Sequence, residues 1–201
     1  MPNTFPLALK RLESLEKKIW RDPEYAEEYR LKIDDYINKG YARKISEEET
    51  NVSNNNVFYL PHFGVKNPHK LGIRLVFDAA AETNNISLNK FLFTGPDLNQ
   101  PLLTILFKFR QASIAVCGDI KEMFHQVEIR DEDKPSQRIL WRVGGQHEPV
   151  ELFQMNRMIF GAACSPTIAQ YVKNKNAEKF KEKFPRAAEP IIERHYVKRL
   201  R

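Results

Sequence analysis

The segment Cys117-Gly118-Asp119-Ile120-Lys121-Glu122-Met123-Phe124-His125-Gln126 holds the residues best spaced for chemistry. Ser113 to Cys117 reads as a β-strand, which would present Asp119 at its carboxyl end, where oxygen ligands can hold a hard cation. Five residues on stands the bulky ring of Phe124. The same residues admit a structural account: Asp119 caps the following helix, Phe124 packs in the core, and His125 is a satisfied histidine with no nucleophile paired to it. Glu122, three residues past Asp119, would leave on a different face from the strand end and makes a poor second ligand.

Two further groups could act on phosphates. Phe160-Gly161-Ala162-Ala163-Cys164-Ser165-Pro166, followed by Gln170, puts small residues at a strand-to-helix junction. There another chain or a flat ligand can approach the backbone, and free amides at the helix start favour phosphate. Tight packing of helix on sheet explains the same pattern. The basic hairpin Lys66 to Arg74 sets Lys70 and Arg74 on either side of a turn at Gly72. Two such cations can clamp a triphosphate by charge-assisted hydrogen bonds, or simply keep a hairpin soluble.

The elements that must position these groups follow from periodicity. Leu9, Leu12, Leu15 and Ile19 recur at helical spacing up to Trp20, and Asp22-Pro23 supplies an N-cap and a first-turn proline. The next stripe, Tyr25, Tyr29, Ile33, Tyr36 and Ile37, ends at Gly40, a left-handed stop. Ser46 to Asn56 reads as a polar connector. Strands are expected at Val57–Leu60, Ile73–Phe77, Ser113–Cys117, Arg138–Trp141 and Val150–Phe153, and helices around Asp97–Arg110 and from Ser165-Pro166 to Phe184. Strands mixed irregularly with helices predict an α+β fold, with a helical lead-in over 1–56 and the remaining domain over 57–201.

Composition bounds the function. The 201 residues carry 32 Lys+Arg against 26 Asp+Glu, a net charge of +6. Ten basic and four acidic residues lie between Lys173 and Arg201, so the whole excess sits there. Such a segment can attract a phosphate backbone by releasing counterions, or can be a solvated helix face. With 42% hydrophobic residues, wholesale disorder is excluded. Two cysteines, Cys117 and Cys164, are too few and too far apart for a disulfide framework or a four-ligand zinc site, and suit a reducing compartment. No signal-peptide pattern opens the chain, and no apolar run reaches the roughly 18 residues of a membrane span. The expectation is a soluble intracellular protein, placed in the cytoplasm, with no membrane partner.

Taken in order, these strings resemble the fingers and palm of a reverse transcriptase, in particular that of Bel/Pao-type LTR retrotransposon polyproteins. The resemblance runs from about Leu7 to Val197. It includes Lys39-Gly40-Tyr41, Tyr59-Leu60-Pro61-His62, Arg74-Leu75-Val76-Phe77-Asp78-Ala79, Ser87-Leu88-Asn89, Gly95-Pro96, Phe109-Arg110, the Asp119 motif, and Gln137-Arg138-Ile139-Leu140-Trp141-Arg142. It implies a right-hand polymerase fold performing RNA-directed DNA synthesis. Asp119 would hold the catalytic Mg²⁺ ions, with the Ile120 carbonyl as a further ligand. Phe124 would exclude the ribose 2′-hydroxyl by steric clash. Arg74 would pack on the incoming triphosphate with Lys70 as its basic neighbour, and Phe160 and Gly161 would border nucleotide and template. The implied partners are an RNA or DNA template-primer and deoxynucleotides.

The departure lies in the last motif. The family pattern is Tyr-x-Asp-Asp on a hairpin facing Asp119, and this chain reads Tyr196-Val197-Lys198-Arg199. Two-metal catalysis needs several carboxylates to hold ions about 3.5–4 Å apart, and one aspartate facing two cations cannot do so. The expectation is a degenerate, truncated domain of a transposable element: fingers and partial palm without polymerase activity, a pseudoenzyme. The alternatives are a non-catalytic nucleic-acid-binding protein and a relic open reading frame.

Overall fold

Helix α1 (Phe5–Arg21) and helix α2 (Pro23–Asn38) are divided where the sequence predicts. The Asp22 carboxylate accepts from the Tyr25 amide at 3.0 Å, and Pro23, which has no N–H to leave unpaired, opens α2. Gly40, at φ +69°, stops it. The Tyr41 amide donates to the Tyr36 carbonyl at 2.8 Å and the Gly40 amide to that of Ile37 at 2.9 Å, while the Tyr36 and Tyr41 rings meet edge-on at 5.8 Å. Those two bonds and their apolar contact make a Schellman stop, for which a left-handed glycine is the cheapest residue.

The computed structural model describes residues 2–51, 56–66, 72–145 and 147–196. The chain is α+β and divides into two compact units, one formed by Met1–Phe93 with Glu128–Ala163 and the other by Thr94–Val127 with Cys164–Arg201. Among the described residues no helix is long and apolar enough to cross a membrane.

In the first unit, β2 (His62–Lys66) and β3 (Ile73–Phe77) form an antiparallel hairpin with His62 opposite Phe77 and Val65 opposite Arg74. Alternation buries Ile73, Leu75 and Phe77 and turns Arg74 outward. The stripe of α2 packs on the buried face. Tyr25 Oη donates to the Gly64 carbonyl at 3.0 Å and accepts from its amide at 3.1 Å, and a Cβ at Gly64 would lie 2.7 Å from that oxygen. Tyr29 Oη bonds His62 Nδ1 at 2.5 Å, and His62 Nε2 donates to the Leu140 carbonyl at 2.8 Å. Tyr29 also stacks on Trp141 at 5.4 Å. The helical lead-in therefore builds the core that orients the basic hairpin.

A second sheet has the order β1 (Ala42–Lys44), β5 (Glu151–Met155), β4 (Arg138–Trp141), all antiparallel. Glu16 of α1 joins it through a two-oxygen bridge from Arg142 Nη1, at 2.7 and 2.6 Å. Strands β3, β4 and β5 fall where periodicity places them and β2 is the first arm of the expected hairpin, whereas β1 was not anticipated. Val57–Leu60 is not a strand: Phe58 and Leu60 are buried, and the segment makes only a single parallel bridge from Tyr59 to Arg138 before Pro61. Part of the expected polar connector is helical, since Ser46 and Glu49 form a reciprocal capping box that opens α3 (Glu47–Asn51), with bonds of 3.2 and 3.0 Å.

The second unit holds α4 (Leu102–Phe109), a 3-10 turn at Met123–Gln126, α5 (Ser165–Lys179) and α6 (Pro185–Glu193). The long helix expected up to Phe184 stops at Lys179, and Phe184, at φ −134° and ψ 61°, is non-helical before Pro185, which opens α6. Gly95-Pro96 packs on the first turn of α5, with Thr167 Oγ1 donating to the Pro96 carbonyl at 3.2 Å and Gln170 reaching Asn99 at 2.5 Å. The expected strand Ser113–Cys117 is absent, and Ile114 and Val116 are 81% and 87% exposed. A strand exists only as a member of a ladder, and among the described residues nothing pairs with this one.

Candidate functional site

The residues singled out by sequence fall into two groups, one in each unit. In the first unit the outward face of β3 carries Arg74, whose guanidinium lies 5.6 Å from the centre of the Phe160 ring. Among the described residues no carboxylate pairs with it. An exposed guanidinium held against an aromatic face keeps its donor edge available to an anion. Phe160 is held in turn by backbone contact, its carbonyl accepting from the Phe77 amide at 3.0 Å.

Gly161 has φ +119°, and a Cβ there would stand 1.8 Å from the Phe77 carbonyl oxygen. Only glycine permits this approach. Asn89 completes the junction: its side-chain amide donates to the Gly161 carbonyl at 3.1 Å and its oxygen accepts from the Ala163 amide at 2.8 Å. Its own backbone N–H donates to the Ala79 carbonyl at 2.9 Å. Arg74 to Ala79, Ser87 to Asn89, and Phe160 to Ala163 are thereby bonded into one surface, though they are far apart in the chain. Asn89 had no role assigned from sequence, and an asparagine in a Ser-Leu-Asn string gives no signal that it will bridge two backbone groups over seventy residues away. Lys70 lies outside the described residues.

In the second unit Asp119 is exposed and Ile120 half-buried. Phe124 is 9% exposed and His125 2%, both packed in the 3-10 turn, which the Glu122 backbone enters in the left-handed region at φ 51°. Phe124 thus occupies a packed position rather than an open one. The charge of Asp119 is felt by His195. His195 is pushed below its usual value first by burial and then by the charge of Lys173, with Asp119 opposing. Lys173, with its ammonium donating to the Ile191 carbonyl at 2.6 Å, is held down to about 8 by burial. Neither residue was anticipated; a lysine and a histidine in a basic stretch read as solvated. Tyr196 is exposed, and Val197, Lys198 and Arg199 lie outside the described residues.

Among the described residues no three His, Cys, Asp or Glu side chains gather into a possible metal site. Asp119 belongs to no such group, and its charge is felt by the His195 imidazole. That donor set does not fit a pair of Mg²⁺ ions, which demand oxygen ligands from several carboxylates. No protein-family model matches the chain, and no curated protein sequence matches it.

Proposed function

We propose that this chain is a reverse transcriptase-like domain of a Bel/Pao-type retroelement polyprotein, with right-hand fingers and a partial palm, that has kept the nucleotide-contacting side and lost polymerisation. The observation that carries the reading is the bonding of three distant strings, Arg74-Leu75-Val76-Phe77-Asp78-Ala79, Ser87-Leu88-Asn89 and Phe160-Gly161, into one surface crowned by a guanidinium that has no carboxylate partner among the described residues. An incoming deoxynucleoside triphosphate is the ligand this surface suits, with Arg74 on its phosphates. Chemistry fails for lack of carboxylates: Asp119 stands alone, and Lys198 and Arg199 take the places of the two aspartates in the resembled motif.

Two measurements test this. A fluorescent deoxynucleoside triphosphate should bind the full chain without added metal, and Arg74→Ala should weaken it by about ten- to a hundredfold, the value of one charge-assisted contact. Purified protein given a primed RNA template, deoxynucleotides and Mg²⁺ or Mn²⁺ should leave the primer unextended. Extension that Asp119→Asn abolishes would overturn the loss of catalysis; triphosphate binding indifferent to Arg74 would overturn the surface. The runner-up is a non-catalytic nucleic-acid-binding protein, favoured by the basic excess after Lys173. It predicts oligonucleotide affinity that falls steeply with salt and ignores Arg74→Ala.

A further inference from the structure

The loop between α5 and α6 returns the chain so that the two helices pack through Ala177 and Ala188, both buried. Small residues at that contact leave a groove of about 240 Å³ beside it, walled by Phe180, Phe184 and Ile191 and floored by Ala177, Ala187 and Ala188, with Asn176 the one polar side chain in its lining. The three large walls are 43%, 52% and 41% exposed, so the groove is an open apolar slot, not a closed core.

Its rim is positive. Residues 179–186 read Lys-Phe-Lys-Glu-Lys-Phe-Pro-Arg, four cations against one carboxylate. Lys179 and Lys183 hold their ammonium groups 5.8 and 5.2 Å from the Phe180 and Phe184 ring centres, at the edge of the slot. The other carboxylates of α5 and α6 are already neutralised: Glu178 by Lys175 at 2.9 Å, Glu189 by Arg194 at 3.7 Å and Glu193 by Lys108 at 2.6 Å. Among the described residues Lys179, Lys181, Lys183 and Arg186 have no carboxylate partner, so with Glu182 counted the rim keeps an excess of positive charge.

We propose that the α5–α6 groove docks an acidic amphipathic helix of a partner protein, its apolar stripe in the slot and its carboxylates against Lys179, Lys181, Lys183 and Arg186. Charge complementarity chooses the sign of the partner, and the lining chooses its class. A nucleobase would bring several edge donors and acceptors to a slot that offers only the Asn176 amide among hydrocarbon walls. Aliphatic side chains spaced i, i+3, i+4, i+7 on a helix bring none. The docking surface is independent of the Arg74 surface and stands or falls without it.

The test is fluorescence anisotropy on the full chain. The probe is a synthetic peptide of about four helical turns with leucine at i, i+3, i+4 and i+7 spacing and glutamate elsewhere. It should bind at least about tenfold more tightly than the same composition scrambled, or than the version with lysine for glutamate. Ala187→Trp, an exposed position on the floor, should plug the slot and weaken the probe by about tenfold or more with the helical circular dichroism unchanged. Lys181→Glu, Lys183→Glu and Arg186→Glu together leave the floor intact and should weaken it as much. Equal binding of the scrambled peptide, or indifference to both variants, would overturn the proposal. So would an oligo-dT of roughly 12 nucleotides that binds and is displaced by Ala187→Trp, since the occupant would then be single-stranded nucleic acid.

Discussion

Replacing Gly161 by alanine should damage the Arg74 surface more than any other single methyl group could. The added Cβ would lie 1.8 Å from the Phe77 carbonyl oxygen and 3.0 Å from its carbon, both backbone atoms, so relief requires moving Phe160–Gly161 and β3 apart by more than about 1 Å. Three costs combine. A non-glycine residue in this positive-φ region costs roughly 1–3 kcal/mol, overpacking a fixed contact roughly 1–3 kcal/mol, and the stretched Phe77-to-Phe160 backbone bond about 1 kcal/mol. The expected loss is about 3–7 kcal/mol against a domain stability of about 5–15 kcal/mol. Trp141, 8% exposed, reports the first unit by fluorescence once the exposed Trp20 is replaced by phenylalanine in all variants. With a urea dependence of about 2 kcal/mol per molar, the unfolding midpoint should drop by roughly 1.5–3.5 M. Gly145→Ala is the control, because Gly145 has φ +114° but nothing within 4 Å of its would-be Cβ. It should show the backbone cost alone, roughly 1–3 kcal/mol. If Gly161→Ala costs no more than Gly145→Ala, the close approach of Phe77 is not a constraint and the surface is not built as described.

Burial holds His62 below its usual pKa, so the unfolded chain takes up a proton that the folded chain refuses. Its contribution is whole above about pH 6.5 and is lost as pH falls, at up to about 1.4 kcal/mol per unit. His62→Gln should flatten that part of the pH–stability profile; an unchanged slope between pH 6.5 and 5 would count against a buried neutral imidazole. Tyr29→Phe leaves the imidazole Nδ1 without its partner and should cost about 1–3 kcal/mol in urea melts read at Trp141. Arg142→Ala strands the nearly buried Glu16 carboxylate and should cost about 2–4 kcal/mol, while Arg142→Met with Glu16→Met should recover most of it. Lys198→Asp with Arg199→Asp supplies carboxylates to join Asp119 and should raise Mn²⁺ affinity in titration calorimetry at least about tenfold; no gain would mean that Asp119 does not face that motif.

What was legible in the sequence was what the chain decides within a few residues. The division of α1 from α2 rests on Asp22 and Pro23, and the stop at Gly40 on a left-handed backbone, and neither needs a distant partner. Pro185 carried the same kind of signal against a helix through Phe184, as did Ser46 and Glu49 for a short helix; both are local motifs that apolar periodicity alone overlooks. Strands β3, β4 and β5 were legible because their apolar residues must be buried on some face. β1, with the residues Ala-Arg-Lys, has no such pattern and exists only because the edge of β5 accepts it.

Tertiary structure alone decided the rest, because it depends on pairing. Ser113–Cys117 has the composition of a strand and is none, since hydrogen bonds in a sheet are supplied by neighbours and not by propensity. The types and order of Asp119, Arg74, Phe160 and Gly161 were read from sequence. That Arg74 rests on Phe160, that Asn89 ties Gly161 and Ala163 together, and that His195 feels the charges of both Lys173 and Asp119 were not. Those contacts join residues up to 86 positions apart, and nothing local in the chain records which distant backbone or ring a side chain will meet.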